Sequence, residues 1–247
     1  AVTVVDPYAT RTMPWGEVDR YPFLFDFADW ASALEGELHL GAPDIRPTGR
    51  LERISAPIDA LVLGDSWVDA GRLGVFEGGR LSVGGELTLG REGEGTLDLR
   101  DGEVSAAHLR VATSEGSRGR LDMRGGLLTV EALSVGQGDA ELKVSGGRMV
   151  TSELDLSLTL EGGALEFPTH GRVTGALSIE EGAELVLSLD DASEDEALLH
   201  LAEQGRIAGR LVLTLSEDAA FYDGTYALIE GASLEVEGMT IHTDAFG

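Results

Sequence analysis

The sequence predicts an all-β fold: a single-stranded right-handed parallel β-helix with three short strands per turn and one short helix near the C-terminal end. Three observations predict it. Short apolar-x-apolar triplets recur along the chain, each followed by Gly-Gly or a near equivalent. The triplets return at intervals at or just under the roughly 20–50 residues of a stacking repeat. The 34 glycines have no every-third-residue period, which marks them as turn residues between many short elements.

The repeats occupy residues 35–189. Copies begin at Leu73, Leu97, Leu121, Leu142, Leu158 and Leu177, so the steps are 24, 24, 21, 16 and 19 residues. Fuller copies hold three alternating segments, such as Leu73 with Val75, Leu81 with Val83, and Leu87 with Leu89. Alternation puts one set of side chains on one face. A three-residue strand cannot bury that face alone. Three of them around a turn can, once the next turn stacks about 4.8 Å away. Glycine at the corners permits positive φ. Propeller blades need four strands and about 40–50 residues per repeat. Sandwich strands run to about five residues or more. The observed units are too short for either.

The repeats are flanked by three other segments. Residues 1–34 form an aromatic-rich leader, holding seven of the 14 aromatic residues. Ala1 to Val5 and the alternation of Phe23, Phe25 and Phe27 read as strands. The leader reads either as a hydrophobic cap or as an interaction surface built from Val2, Val4, Tyr8, Trp15, Phe23, Phe25 and Trp30. Residues 190–206 predict the helix. Ser193 and Glu196 have capping-box spacing, Leu198, Leu199, Leu201 and Ala202 form an apolar stripe, and Gly205 suits the position after the last turn. Residues 207–247 return to strand period, with Leu211, Leu213, Leu234, Val236 and Ile241, and complete or cap the coil.

Composition bounds the function. There are 44 acidic and 18 basic residues, for a net charge of −26, and Lys143 is the only lysine. Nucleic-acid binding needs clustered cations, so no nucleic-acid partner is expected. No apolar run reaches the roughly 20 residues that span a bilayer, so no membrane insertion is expected. The acidic surface reads as a solvated face or as adaptation to salt. The absence of Cys excludes disulfides and thiolate metal sites. A start at Ala1 without Met fits a processed chain.

The run GGELTLGREGEGTLDLRDGEVSAAHLRVATSEGSRGRLDMRGGLLTVEALSVG, residues 84–136, resembles the repeats of autotransporter passenger domains and of bacterial surface proteins with PEP-CTERM sorting tails. The shared elements are Leu89-Gly90, Gly95-Thr-Leu-Asp-Leu99, Gly119-Arg-Leu-Asp-Met123, Gly125-Gly126 and Leu133-Ser-Val-Gly136. The segment Tyr222-Asp-Gly-Thr-Tyr-Ala-Leu-Ile229 is similar to the stretch that closes such regions. The resemblance covers roughly residues 60–230. It implies an extracellular or cell-surface location in a bacterium. It implies no particular activity, because such repeats serve adhesins, filaments and spacers alike.

Little chemistry is legible. His39, His108, His170, His200 and His242 lack the spacing that seats zinc. No P-loop, Gly-x-Ser-x-Gly or dinucleotide fingerprint occurs, so the chain is expected not to be an enzyme. Asp98 and Asp122 fall at matching outward positions of neighbouring turns. Stacked carboxylates repel, which makes them a candidate Ca²⁺ pair, though Lys143 and Thr159 end the column. No other cofactor is expected. A second outward column of Thr88, Arg110, Ser134 and Asp155 is too mixed for ice binding. The leading expectation is a secreted structural protein that self-assembles through its solenoid ends into a filament, sheath or layer. The alternative is a glycan-binding adhesin or an accessory module of a polysaccharide-degrading system. A polysaccharide lyase or hydrolase ranks behind both, because a polyanion needs a basic groove.

Overall fold

The computed structural model describes residues 2–6, 9–13, 33–40, 58–64, 70–77, 79–190, 192, 193, 196–215, 227–237 and 240–243. They form an all-β structure of parallel strands wound as a β-solenoid of about six turns, with no helix among them. The chain divides into two compact units, Ala1–Val130 with Ser134–Lys143, and Glu131–Leu133 with Val144–Gly247.

The first unit opens with an antiparallel hairpin of β1 (Val2–Asp6) and β2 (Ala9–Met13), and β1 also runs antiparallel to β3 (Ala33–Leu40). From β3 onward the described strands of the unit pair in parallel. β3 is followed by β4 (Ile58–Leu63), β5 (Ala70–Val75), β6 (Arg80–Leu89), β7 (Glu94–Val111), β8 (Arg118–Val135) and the start of β9 (Asp139–Val150). Leu38 stacks on Leu73 and Leu73 on Leu97, while Leu61 stacks on Leu87 and Leu87 on Leu109. A register held over several coils keeps inward positions inward, because a one-residue slip would turn every side chain over. Leu73, Val75, Leu97, Leu99, Leu121, Met123, Leu87, Leu89, Leu109 and Val111 are fully buried as a result.

The long strands bend at their corners. β7 pairs with β5 through its first half and with β6 through its second, and the register shifts between Ser82 and Glu86. Gly126, at a β8 corner, has φ +78°, and a Cβ there would lie 2.3 Å from the Gly102 carbonyl oxygen. Only glycine fits. Ala112 takes the same left-handed conformation, with φ 52°, where its amide donates to Leu89 O at 2.8 Å.

The second unit continues with the end of β9, then β10 (Glu153–Asp155), β11 (Leu158–Phe167), β12 (Gly171–Val173), β13 (Leu177–Ile179), β14 (Ala183–Ser188), β15 (Leu199–Ile207), β16 (Arg210–Thr214), β17 (Ile229–Val236) and β18 (Thr240–Thr243). Its described strands pair in parallel throughout. Leu165, Leu185 and Leu211 share one column, and Phe167, the largest fully buried side chain among the described residues, shares the next with Leu187 and Leu213. Gly171 makes room for that ring: a Cβ would sit 2.4 Å from Phe167 Cδ1.

One expectation is overturned here. The helix predicted over residues 190–206 is absent, and residues 199–207 form strand β15. Leu199 and Leu201 alternate inward, in register with Gly171 and Val173 on one side and with Ile229 and Gly231 on the other. A lone short helix is marginal in water. Two flanking rungs offer backbone partners on both edges and burial for both leucines, which outweighs the local capping signal. Gly205, read as a helix terminator, instead lies against the Leu201 side chain, where a Cβ would sit 2.4 Å from its Cδ1.

Candidate functional site

Two kinds of charged arrangement stand on the outside of the coils. The first is the pair Asp98 and Asp122, each about 4% exposed despite facing outward. The side chain two residues on explains this. Arg100 donates Nε and Nη2 to the two oxygens of Asp98 at 3.1 and 2.9 Å, and Arg124 does the same to Asp122 at 3.0 and 2.5 Å. Arg72 and Arg120 approach from the other side, each at 3.7 Å. The planar fork suits a carboxylate, and bidentate pairs are among the stronger ion pairs. The hydrogen bond from Arg124 is the main cause holding the Asp122 carboxyl below its ordinary range, against burial that pushes it up. Arg100 and Arg124 are raised in turn by the same bonds. Arg100 also lies over the Phe76 ring, 5.5 Å from its centroid.

These guanidinium groups do the work for which Ca²⁺ was the candidate. The carboxylate oxygens face arginines, and among the described residues no group of three or more His, Asp or Glu is placed to hold a metal ion. The repeated Asp-x-Arg of Asp98-Leu-Arg100 and Asp122-Met-Arg124 was the available signal for this clamp, and reading the aspartates alone missed it.

The second arrangement is a set of ladders in which a cation lies between carboxylates of neighbouring rungs. In the first unit Arg118 meets Glu94 at 3.0 Å and Asp139 at 3.9 Å, and Arg120 meets Glu141 at 3.3 Å. A shallow open trough runs between these ladders over Gly95, Gly119 and Ala140. In the second unit Arg206 meets Glu180 at 3.1 Å and Glu237 at 3.1 Å. His200 meets Glu230 at 3.3 Å. Glu180 is held below its ordinary range, chiefly by the Ser178 hydroxyl and then by Arg206.

The column of Thr88 and Arg110 is confirmed by register, and both contact Glu86: the Thr88 hydroxyl donates to it at 2.8 Å, and Arg110 Nη1 lies 3.5 Å away. The described histidine side chains do not converge. His108 is exposed, His170 Nδ1 lies 3.0 Å from Ala197 O, and His200 belongs to the ladder above. Of the expected leader surface, Val2 and Val4 lie on β1. Tyr8, Trp15, Phe23, Phe25 and Trp30 lie outside the described residues, as does the strand expected around Phe23.

The terminal rung differs from all the others described here. The column Ile179–Ile207–Val236 is fully buried at its first two members, yet Val236 is 46% exposed. Leu234, stacked on Gly205, is 40% exposed. β17 pairs with β15 along one edge, and no strand pairs with its other edge among the described residues.

Stacked parallel rungs, a continuous apolar interior and outward ion ladders define the class: this is a β-solenoid repeat protein. No protein-family model, curated protein or solved structure matches the chain. No helix among the described residues is long and apolar enough to cross a membrane.

Proposed function

We propose that the chain is a non-catalytic structural protein of the cell exterior that assembles through the ends of its solenoid. The observation that carries this reading is the open rung β17, which presents Leu234 and Val236 in register with the buried column beneath them. An unpaired strand edge is a template for strand addition. A right-handed coil with three faces per turn accompanies the reading: connections between parallel strands of one sheet favour the right hand, and β7 divides its pairing between β5 and β6 and so spans two faces. The extracellular, bacterial placement rests on the repeat resemblance of residues 84–136. Glycan binding, the alternative, rests on leader aromatics outside the described residues, and no geometry favours it.

Sedimentation velocity over a concentration series tests the proposal. The expected result is reversible self-association that Leu234→Asp and Val236→Asp suppress. A strictly monomeric particle at the highest soluble concentration overturns it.

A further inference from the structure

The charge on β17 specifies the strand that its open edge accepts. In both units a cation on one rung is flanked by carboxylates on the neighbouring rungs, as Arg118 is by Glu94 and Asp139, and Arg206 by Glu180 and Glu237. β17 ends on the carboxylate step. In register, Glu230 lies over His200 and Glu235 over Arg206, and Glu237 reaches Arg206 from just beyond the strand. All three carboxylates are exposed. His200, which meets Glu230, and Arg206, which meets Glu237, belong to β15, on the paired side. The next rung in such a series carries cations over Glu230, Glu235 and Glu237, and apolar side chains over Leu234 and Val236. A second copy pairing through its own β17 brings three more carboxylates instead, and like charges directly opposite are destabilising.

We infer that the outer edge of β17 is a docking edge for an extended strand alternating apolar with basic side chains, and that it rejects the β17 edge of a second copy. The inference rests on the end-assembly reading and sharpens it: β17 is one half of an unlike pair, and identical edges do not join.

A fluorescein-labelled peptide alternating Arg with Leu and Val, and its counterpart with Glu in place of Arg, are titrated with the full chain by fluorescence anisotropy. The arginine peptide is expected to bind about tenfold more tightly, the effect of three favourable cross-strand charge pairs. The preference shrinks in high salt. The triple variant Glu230→Arg, Glu235→Arg, Glu237→Arg reverses it. Glu92→Arg, Glu115→Arg, Glu131→Arg, which makes the same change in net charge at exposed sites elsewhere, leaves it in place. Glu235→Arg alone leaves the His200–Glu230 and Arg206–Glu237 contacts intact and is expected to lower the preference about threefold, which keeps the test open if the triple variant misfolds. Leu234→Asp weakens both peptides. Failure of the arginine peptide to bind overturns the inference. So does an equal response of the edge and control variants, which is the mark of diffuse attraction to an acidic protein. Tight pairing of β17 with β17 in a cross-linked dimer overturns it as well. A monomer in sedimentation removes assembly of identical chains, whereas the peptide preference is read independently of that result.

Discussion

The columns around Leu97 and around Leu234 are built by the same rule and end differently. Leu73, Leu97 and Leu121 are fully buried, whereas the column through Leu177 and Gly205 emerges at Leu234, 40% exposed. The carboxylates divide the same way. Asp98 and Asp122 are sunk beneath two arginines each, and Glu235 and Glu237 stand in solvent. The difference teaches that burial here belongs to the neighbour above as much as to the residue. In a stacked array each rung draws its stability from those it touches, so an interior rung has two contributors and an end rung one.

The largest expected effect separates the two columns directly. Leu97→Ala leaves a cavity in a sealed column and is expected to cost about 3 kcal/mol in chemical denaturation. Leu234→Ala, already half in solvent, is expected to cost less than about 1 kcal/mol. Equal losses would break the comparison. Next comes Gly126→Ala, which forces a Cβ against the Gly102 carbonyl at a positive φ and is expected to cost about 2 kcal/mol or more. Gly116→Ala, at φ +81° with nothing within 4 Å, bears the conformational cost alone and separates crowding from strain.

Asp122→Asn is expected to cost about 1–2 kcal/mol, because it weakens charge-assisted bonds to Arg124. Its sign with pH is fixed. The folded carboxyl titrates below its unfolded value of about 3.9, so its contribution is complete above that pH and is lost as pH falls through the folded value. The variant loses that part of the acid dependence, read as a flatter stability profile below about pH 4. Hydrogen exchange then sharpens the comparison rung by rung. The β17 amides are expected to exchange through local opening well below the global free energy, and those of β7 close to it. The smallest effect is a gain: Ala112→Gly relieves a left-handed alanine and is expected to raise stability by about 0.5 kcal/mol, seen as a small rise in Tm.

Much of this architecture is legible in the chain. Leu73 with Val75, Leu97 with Leu99 and Leu121 with Met123 alternate as strands must, and they occupy the buried columns to which that alternation assigns them. The segment around Leu199 was misread because capping-box spacing and an apolar stripe are local signals, and the rungs that hold Leu199 and Leu201 in a strand are supplied by residues about 30 positions away along the chain. The Asp98 and Asp122 clamps were half legible: the aspartates aligned, but their arginines lie two residues on, and only folding shows them turned back over the carboxylates. The open edge of β17 was not legible, since Leu234-Glu-Val236 reads like any inner rung.

The links between rungs settle how such a chain can change in length. Glu184 and Arg210 are paired across 26 residues, Leu160 and Val144 across 16, and Leu201 and Gly231 across 30. A single residue gained or lost inside an unbroken run such as β14 would exchange greasy and wetted faces up to the next corner, whereas the bend in β15 between Leu201 and Gln204 already passes three residues against two on β17. The walls therefore resist editing one residue at a time, and the corners are where a single residue can be absorbed.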